Sequence, residues 1–82
     1  MPSLARISDK DNKGHPIVKA SSTVMSDNLY AANKGSKMID GDIIFTGSSS
    51  VNIENQPAAI VSSKTVKGHI IIKGSSTITI GL

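Results

Sequence analysis

An 82-residue chain with 38% hydrophobic residues, a net charge of +3 and no cysteine makes one small domain whose core buries a modest share of its unfolded surface. Without cysteine there are no disulfide staples, so a bound metal or a docked partner is the expected extra source of stability. Tyr30 and Phe45 are the only aromatic residues, too few for base stacking, which argues against nucleic acid as a partner; a small basic β-barrel that binds nucleic acid is the alternative reading of the charge.

The chain opens with Met1-Pro2-Ser3-Leu4-Ala5-Arg6, which has no apolar run suited to a signal peptide, and its longest aliphatic run, Ile70-Ile71-Ile72, is too short to cross a bilayer. Synthesis in the cytoplasm without a signal peptide is therefore expected. The first strong signal is internal: Gly14-His15, Gly41-Asp42 and Gly68-His69 are spaced 27 residues apart. Each pair leads into a matching stretch: Ile17-Val18-Lys19-Ala20-Ser21-Ser22-Thr23-Val24, Ile44-Phe45-Thr46-Gly47-Ser48-Ser49-Ser50-Val51 and Ile71-Ile72-Lys73-Gly74-Ser75-Ser76-Thr77-Ile78. Rich in Ile, Val and Thr and bounded by Gly, Ser and Asn, these stretches read as short strands separated by turns.

Each unit then reverses twice. Gly47-Ser48 and Gly74-Ser75 mark the first reversal, where glycine would supply a positive φ, with Ala20 in that place in the first unit. Val51/Ile53 and Ile78/Ile80 alternate with Asn52 and Thr79, so one face of that strand points inward. Asp27-Asn28 and Glu54-Asn55 mark the second reversal. Leu29-Tyr30-Ala31-Ala32-Asn33 is the one stretch that competes as helix; it is too short, and its counterpart in the next unit holds Pro57, so it is read as extended or irregular. Ala31-Ala32 matches Ala58-Ala59, and Lys10, Lys37 and Lys64 share one repeat position.

The units are residues 14–40, 41–67 and 68–82, the last completed by residues 1–13, which brings Ala5 into line with Ala32 and Ala59. No polar caps of an open solenoid are visible, so the expected architecture is all-β, a closed ring of short hairpins with pseudo-threefold symmetry in one domain, 1–82.

Gly47-Ser48-Ser49-Ser50-Val51-Asn52-Ile53-Glu54-Asn55-Gln56-Pro57-Ala58-Ala59 and Gly74-Ser75-Ser76-Thr77-Ile78-Thr79-Ile80-Gly81 resemble the PAAR-repeat family, whose repeat runs Gly-Ser-Pro-Thr-Val-x-Ile-Asn-Gly-x-Pro-Ala-Ala-Arg. Ala5-Arg6-Ile7-Ser8-Asp9 is similar to the tail of that repeat. The chain departs from it at Ser49 and Ser76, where proline is usual, at Asn55, where glycine is usual, and at Ile60, where arginine is usual. The resemblance implies a small cone of β-hairpins that caps and sharpens the trimeric β-helical spike of a contractile injection machine. The spike would belong to a phage tail, a phage-like particle or a type VI secretion system, with one chain per trimer and transient contact with the target membrane. It places the protein at a virion tail tip or on a secreted injection particle. With no toxin domain appended, a bare tip is expected, not an effector carrier.

His15, His69 and Asp42 share one repeat position, so an axis through the ring would gather two imidazoles and a carboxylate, a set suited to zinc or iron. Relatives of the resembled family hold a metal near the apex with histidine and cysteine; here cysteine is missing, and Asp40 or water is the open choice for a fourth ligand. The serine pairs 21–22, 48–49 and 75–76 are triplicated and without an oriented base, so they are read as turn hydroxyls and the chain as non-enzymatic, against the alternative of a metal-dependent hydrolase. Lys10, Lys37 and Lys64 form a positive ring able to meet acidic groups on a spike or lipid headgroups, or a solvated rim that keeps sheet edges apart. Ala58, Ile60, Ile78, Ile80 and Leu82 are the expected partner-binding base, with core packing as the competing explanation for them.

Overall fold

The computed structural model describes residues 2–21, 24–26 and 28–80. Its described residues are all-β, without a helix: strands β1 Ile17–Lys19, β2 Met25–Ser26, β3 Leu29–Tyr30, β4 Lys37–Met38, β5 Asn52–Ile53 and β6 Gln56–Pro57. β1 pairs with β4, β2 with β3 and β5 with β6, each antiparallel. Strands of two or three residues are too short to stand alone. Single bridges between the remaining segments connect them.

Six segments follow one another in a closed circuit. Lys10 bridges to Pro16, Ile17 to Met38, Lys37 to Ile43, Ile44 to Thr65, Lys64 to Ile70, and Ile71 back to Asp11. Every segment of this ring therefore has a partner on both sides, which removes the open edges that make small sheets associate. A second tier crosses beneath it, with Arg6 bridged to Ala31, Asn33 to Ala58 and Leu4 to Ile60. In both tiers each contact recurs at an offset of 27 residues. Residues 2–4 pair with 78–80: Ser3 bridges to Thr79, the Leu4 amide donates to the Ile78 carbonyl at 3.1 Å and the Ile80 amide to the Pro2 carbonyl at 2.8 Å.

At the centre, three backbones meet. The Ala5 amide donates to the Ala59 carbonyl (2.9 Å), Ala59 to Ala32 (3.0 Å) and Ala32 back to Ala5 (2.9 Å), a cyclic set of hydrogen bonds. Only a methyl fits where chains approach this closely, and all three alanines are fully buried. On one side of them Ile17, Met38, Ile44 and Ile71 fill the inside of the ring. On the other, Leu4, Ala31, Ile53, Ala58, Ile60 and Ile80 form a second cluster. Overall extents of 25 × 23 × 23 Å are those of a near-isotropic body, not of an elongated stack of units.

The turns correct one expectation. Gly47 and Gly74 do not adopt positive φ; they are small because a Cβ would stand 2.6 Å from the Ala58 carbonyl oxygen and 2.8 Å from that of Leu4. Those same carbonyls accept the amides of Ser48 and Ser75, both at 2.8 Å, so close backbone approach, not chain reversal, demands glycine. Ala20, in the first unit, packs partly buried against the first cluster. The left-handed conformation lies elsewhere, at Gly14, Gly41 and Gly68, at Ser8, Gly35 and Ser62, and at Asn28, Glu54 and Asn55. Glu54 and Asn55 thus close a two-residue hairpin between β5 and β6, as the second reversal requires. The Leu29–Asn33 stretch is extended: it supplies β3 and two bridges.

Candidate metal centre

Three turns converge at one end of the ring, each closed by an amide donating three residues back: Gly14 to Asp11, Gly41 to Met38 and Gly68 to Thr65, all near 3 Å. Glycine takes positive φ at the last position of each, which turns the next residue, His15, Asp42 or His69, back toward the axis of the ring. Side chains at the first turn position set the local pattern. Asp11 Oδ1 accepts the amides of Lys13 and His15, both at 2.9 Å, and Thr65 Oγ1 accepts the His69 amide at 3.0 Å. Met38 has no such acceptor, so Asp40 Oδ1 accepts the Asp42 amide instead, at 3.1 Å.

With Oδ1 committed to amides, Asp11 turns Oδ2 inward. It lies 3.1 Å from His69 Nδ1 and 3.4 Å from His15 Nδ1. His15 Nδ1 is also 3.4 Å from Asp40 Oδ2, and His69 Nδ1 is 3.6 Å from Asp42 Oδ2. The two imidazoles stack, centroids 5.6 Å apart and planes 27° from parallel. Two donor groups result, Asp11–His15–His69 and Asp40–Asp42–His69, sharing His69, with the chosen atoms of each within 4.8 Å of one another. These groups can hold a metal ion.

Two observations test that fit. Donors bound at 2.0–2.2 Å in a tetrahedron stand roughly 3.3–3.6 Å apart, and the four separations measured between imidazole and carboxylate atoms, 3.1 to 3.6 Å, fall at or near that edge length. Second, among the described residues His15 Nδ1 and Asp42 Oδ2 are buried without a hydrogen-bond partner. Buried polar atoms are normally satisfied, so two orphans aimed into one cluster are what a shared cation would explain.

The electrostatics agree. Burial pushes the Asp11 carboxyl up, but the His15 and Lys13 amides and the His69 ring outweigh it and hold it below the usual carboxylate value. Asp42 behaves alike: burial and Asp40 raise it, while the Thr65 hydroxyl and the Lys67 and Ile43 amides prevail and lower it. Asp40 is also lowered, with burial opposed by the Asp42 amide, His15 and Lys67, whose Nζ is 3.5 Å away. Three ionised carboxylates at one spot call for positive charge beyond that single lysine.

Of the residues expected from sequence, His15 and His69 are adjacent and Asp42 is on His69, while Asp40, the open choice for a fourth donor, lies on His15. Asp11 was not anticipated. Its signal was present in Asp11-Asn12-Lys13-Gly14-His15, where an aspartate opening a turn can bond amides two and four residues on. The expected base residues Ala58, Ile60 and Ile80 are buried in the second cluster, so core packing accounts for them; Ile78 is exposed, and Leu82 lies outside the described residues. Lys10, Lys37 and Lys64 are all exposed, each opposite an outward residue of the ring. Ser48 and Ser75 are buried with hydroxyls accepting amides: Ser50 and Val51 in one case, Thr77 and Ile78 in the other. No protein-family model matches the chain, and no curated protein does.

Proposed function

We propose that the chain is a PAAR-like, non-enzymatic tip with pseudo-threefold symmetry. It would cap and sharpen a trimeric β-helical spike of a phage tail, phage-like particle or type VI secretion system, one chain per trimer. What supports this reading is the cyclic recurrence of contacts at 27 residues, above all the hydrogen-bonded circuit Ala5–Ala59–Ala32. One polypeptide with three near-equivalent faces can meet three identical protomers without a symmetry mismatch. It covers the open strand edges with which a β-helix otherwise ends. On this reading residues 14–40, 41–67 and 68–82 with 1–13 are the three faces, the turns at Gly14, Gly41 and Gly68 form the narrow end of a cone, and the opposite end docks. Because Ala58, Ile60 and Ile80 are buried, docking would use the exposed Ile78 and the neighbouring hairpins. The protein would reside at a virion tail tip or on a secreted injection particle.

The metal centre would tie the three apical turns together, as a staple does where disulfides are absent. Two imidazoles with carboxylates suit zinc or ferrous iron, and nothing in the set is a soft thiolate.

Mixing the purified chain with a trimeric β-helix fragment encoded beside it and measuring mass by light scattering tests the reading. One chain per trimer is expected. Three per trimer, or no complex, would overturn it.

A further inference from the structure

On the ring, Ile17, Ile44 and Ile71 point inward, so the next residue on each segment faces out. Those outward residues are Val18, Phe45 and Ile72, left 47%, 58% and 54% exposed. An antiparallel sheet facing water ordinarily carries polar groups there. At the turns above them, Ile39 and Val66 are 62% and 66% exposed, the most exposed large apolar side chains described. Their amides bond the Pro16 and Ile43 carbonyls, so the apolar turn residues adjoin the wall. Single exposed hydrophobic residues need no explanation. A set recurring on all three outer segments and two of three turns does.

Charge accompanies this band. Asp9, Asp11 and Asp42 are buried and Asp40 faces His15 and Lys67, so the acids do little to offset the exposed lysines. Lys10, Lys37 and Lys64 stand beside the outward residues, and Lys13 and Lys67 sit on the turns. Aliphatic side chains among flexible ammonium groups match the boundary between acyl chains and anionic headgroups. Nucleic acid has no use for exposed Ile and Val, and two copies of this chain meeting here would bring lysines against lysines.

We infer that the outer wall and turns of the ring form a binding surface for anionic phospholipid bilayers, inserting Ile39, Val66, Val18, Phe45 and Ile72 at headgroup depth with the lysines on the phosphates. The inference does not rest on the spike reading: vesicle binding and trimer stoichiometry use different partners, so each fails without the other.

Flotation of the full chain with phosphatidylglycerol-containing vesicles, against pure phosphatidylcholine vesicles and an oligonucleotide, tests it. The native protein should float with the anionic vesicles, weakly with neutral ones, and more weakly as salt rises. Ile39→Ser with Val66→Ser should weaken vesicle binding about a hundredfold, at roughly tenfold per buried aliphatic side chain. Val18→Ser with Ile72→Ser is a second variant, should the first prove unstable by thermal melting. Lys10→Gln with Lys37→Gln and Lys64→Gln should abolish the preference for anionic lipid. Undiminished binding by both serine variants, no flotation of the native chain, or tighter binding to the oligonucleotide than to vesicles overturns the proposal.

Discussion

Ser62 sits at φ 87° in a turn whose equivalent in another unit is Gly35 at φ 97°. A side chain in the left-handed region costs about 1–2 kcal/mol, and its amide donates to the Ile71 carbonyl irrespective of side chain. Ser62→Gly should therefore stabilise the protein by about 0.5–1 kcal/mol after the added entropy of the unfolded glycine, read as a higher urea midpoint at unchanged slope. Asp11 is the opposite case, a buried group on which the turn depends. Its carboxyl is held below the usual value, so its contribution is present above the unfolded carboxylate value near pH ~3.9 and is lost as pH falls through the lower folded value. Metal-free protein should lose stability as acid is added below about pH 4. Asp11→Asn, which keeps an acceptor for the two amides, should cost about 1–3 kcal/mol at neutral pH and flatten that acid limb. An unchanged limb would mean that other carboxylates carry it.

Between residues and the whole lie the strands, which here are held less by their length than by what they cross. Two- and three-residue strands gain their stability from bridges to distant segments, and the crossing at Ala5, Ala32 and Ala59 is the tightest of them. Enlarging one of these alanines should force the three backbones apart: Ala59→Leu should cost at least about 1–3 kcal/mol and lower the melting temperature. Gly74→Ala should be destabilising despite its ordinary φ, because the added methyl would stand 2.8 Å from the Leu4 carbonyl oxygen and 2.9 Å from the Ser3 Cβ. Tolerance of both changes would show that the crossing has slack which its hydrogen-bond lengths do not suggest.

For the molecule as a whole, the ring has no dispensable member, since each segment bridges to two others. Removing residues 78–82 would strip the partner of residues 2–4 and uncover Leu4 and Ile60, so the shortened chain should unfold at markedly lower denaturant, checked by circular dichroism. The cluster of donors at the turns adds a second global term. Zinc or ferrous iron at a hundredfold excess over its dissociation constant would stabilise the fold by about 2.7 kcal/mol; a chelator should lower the melting temperature accordingly, while His69→Ala, which removes the residue shared by both donor groups, should abolish the chelator's effect. A melting temperature indifferent to chelator and to added metal would remove the metal from the proposal.

Much of this was written in the residue order. The 27-residue spacing of Gly14-His15, Gly41-Asp42 and Gly68-His69 and the alternation of Ile with polar residues determined an all-β chain of short segments, because strand chemistry and turn chemistry are local properties. His15, Asp42 and His69 were recognisable as one set for the same reason. Contacts between units were beyond that reach. Gly47 and Gly74 look like turn glycines in sequence, yet it is a carbonyl from a segment distant in the chain that excludes a side chain. Asp11 joined the donors only because its turn faces His69, 58 positions away. Ala58, Ile60 and Ile80 looked like a docking surface and proved to be core. Which side of an apolar residue meets water depends on distant segments packing against it, and that only the tertiary structure decided.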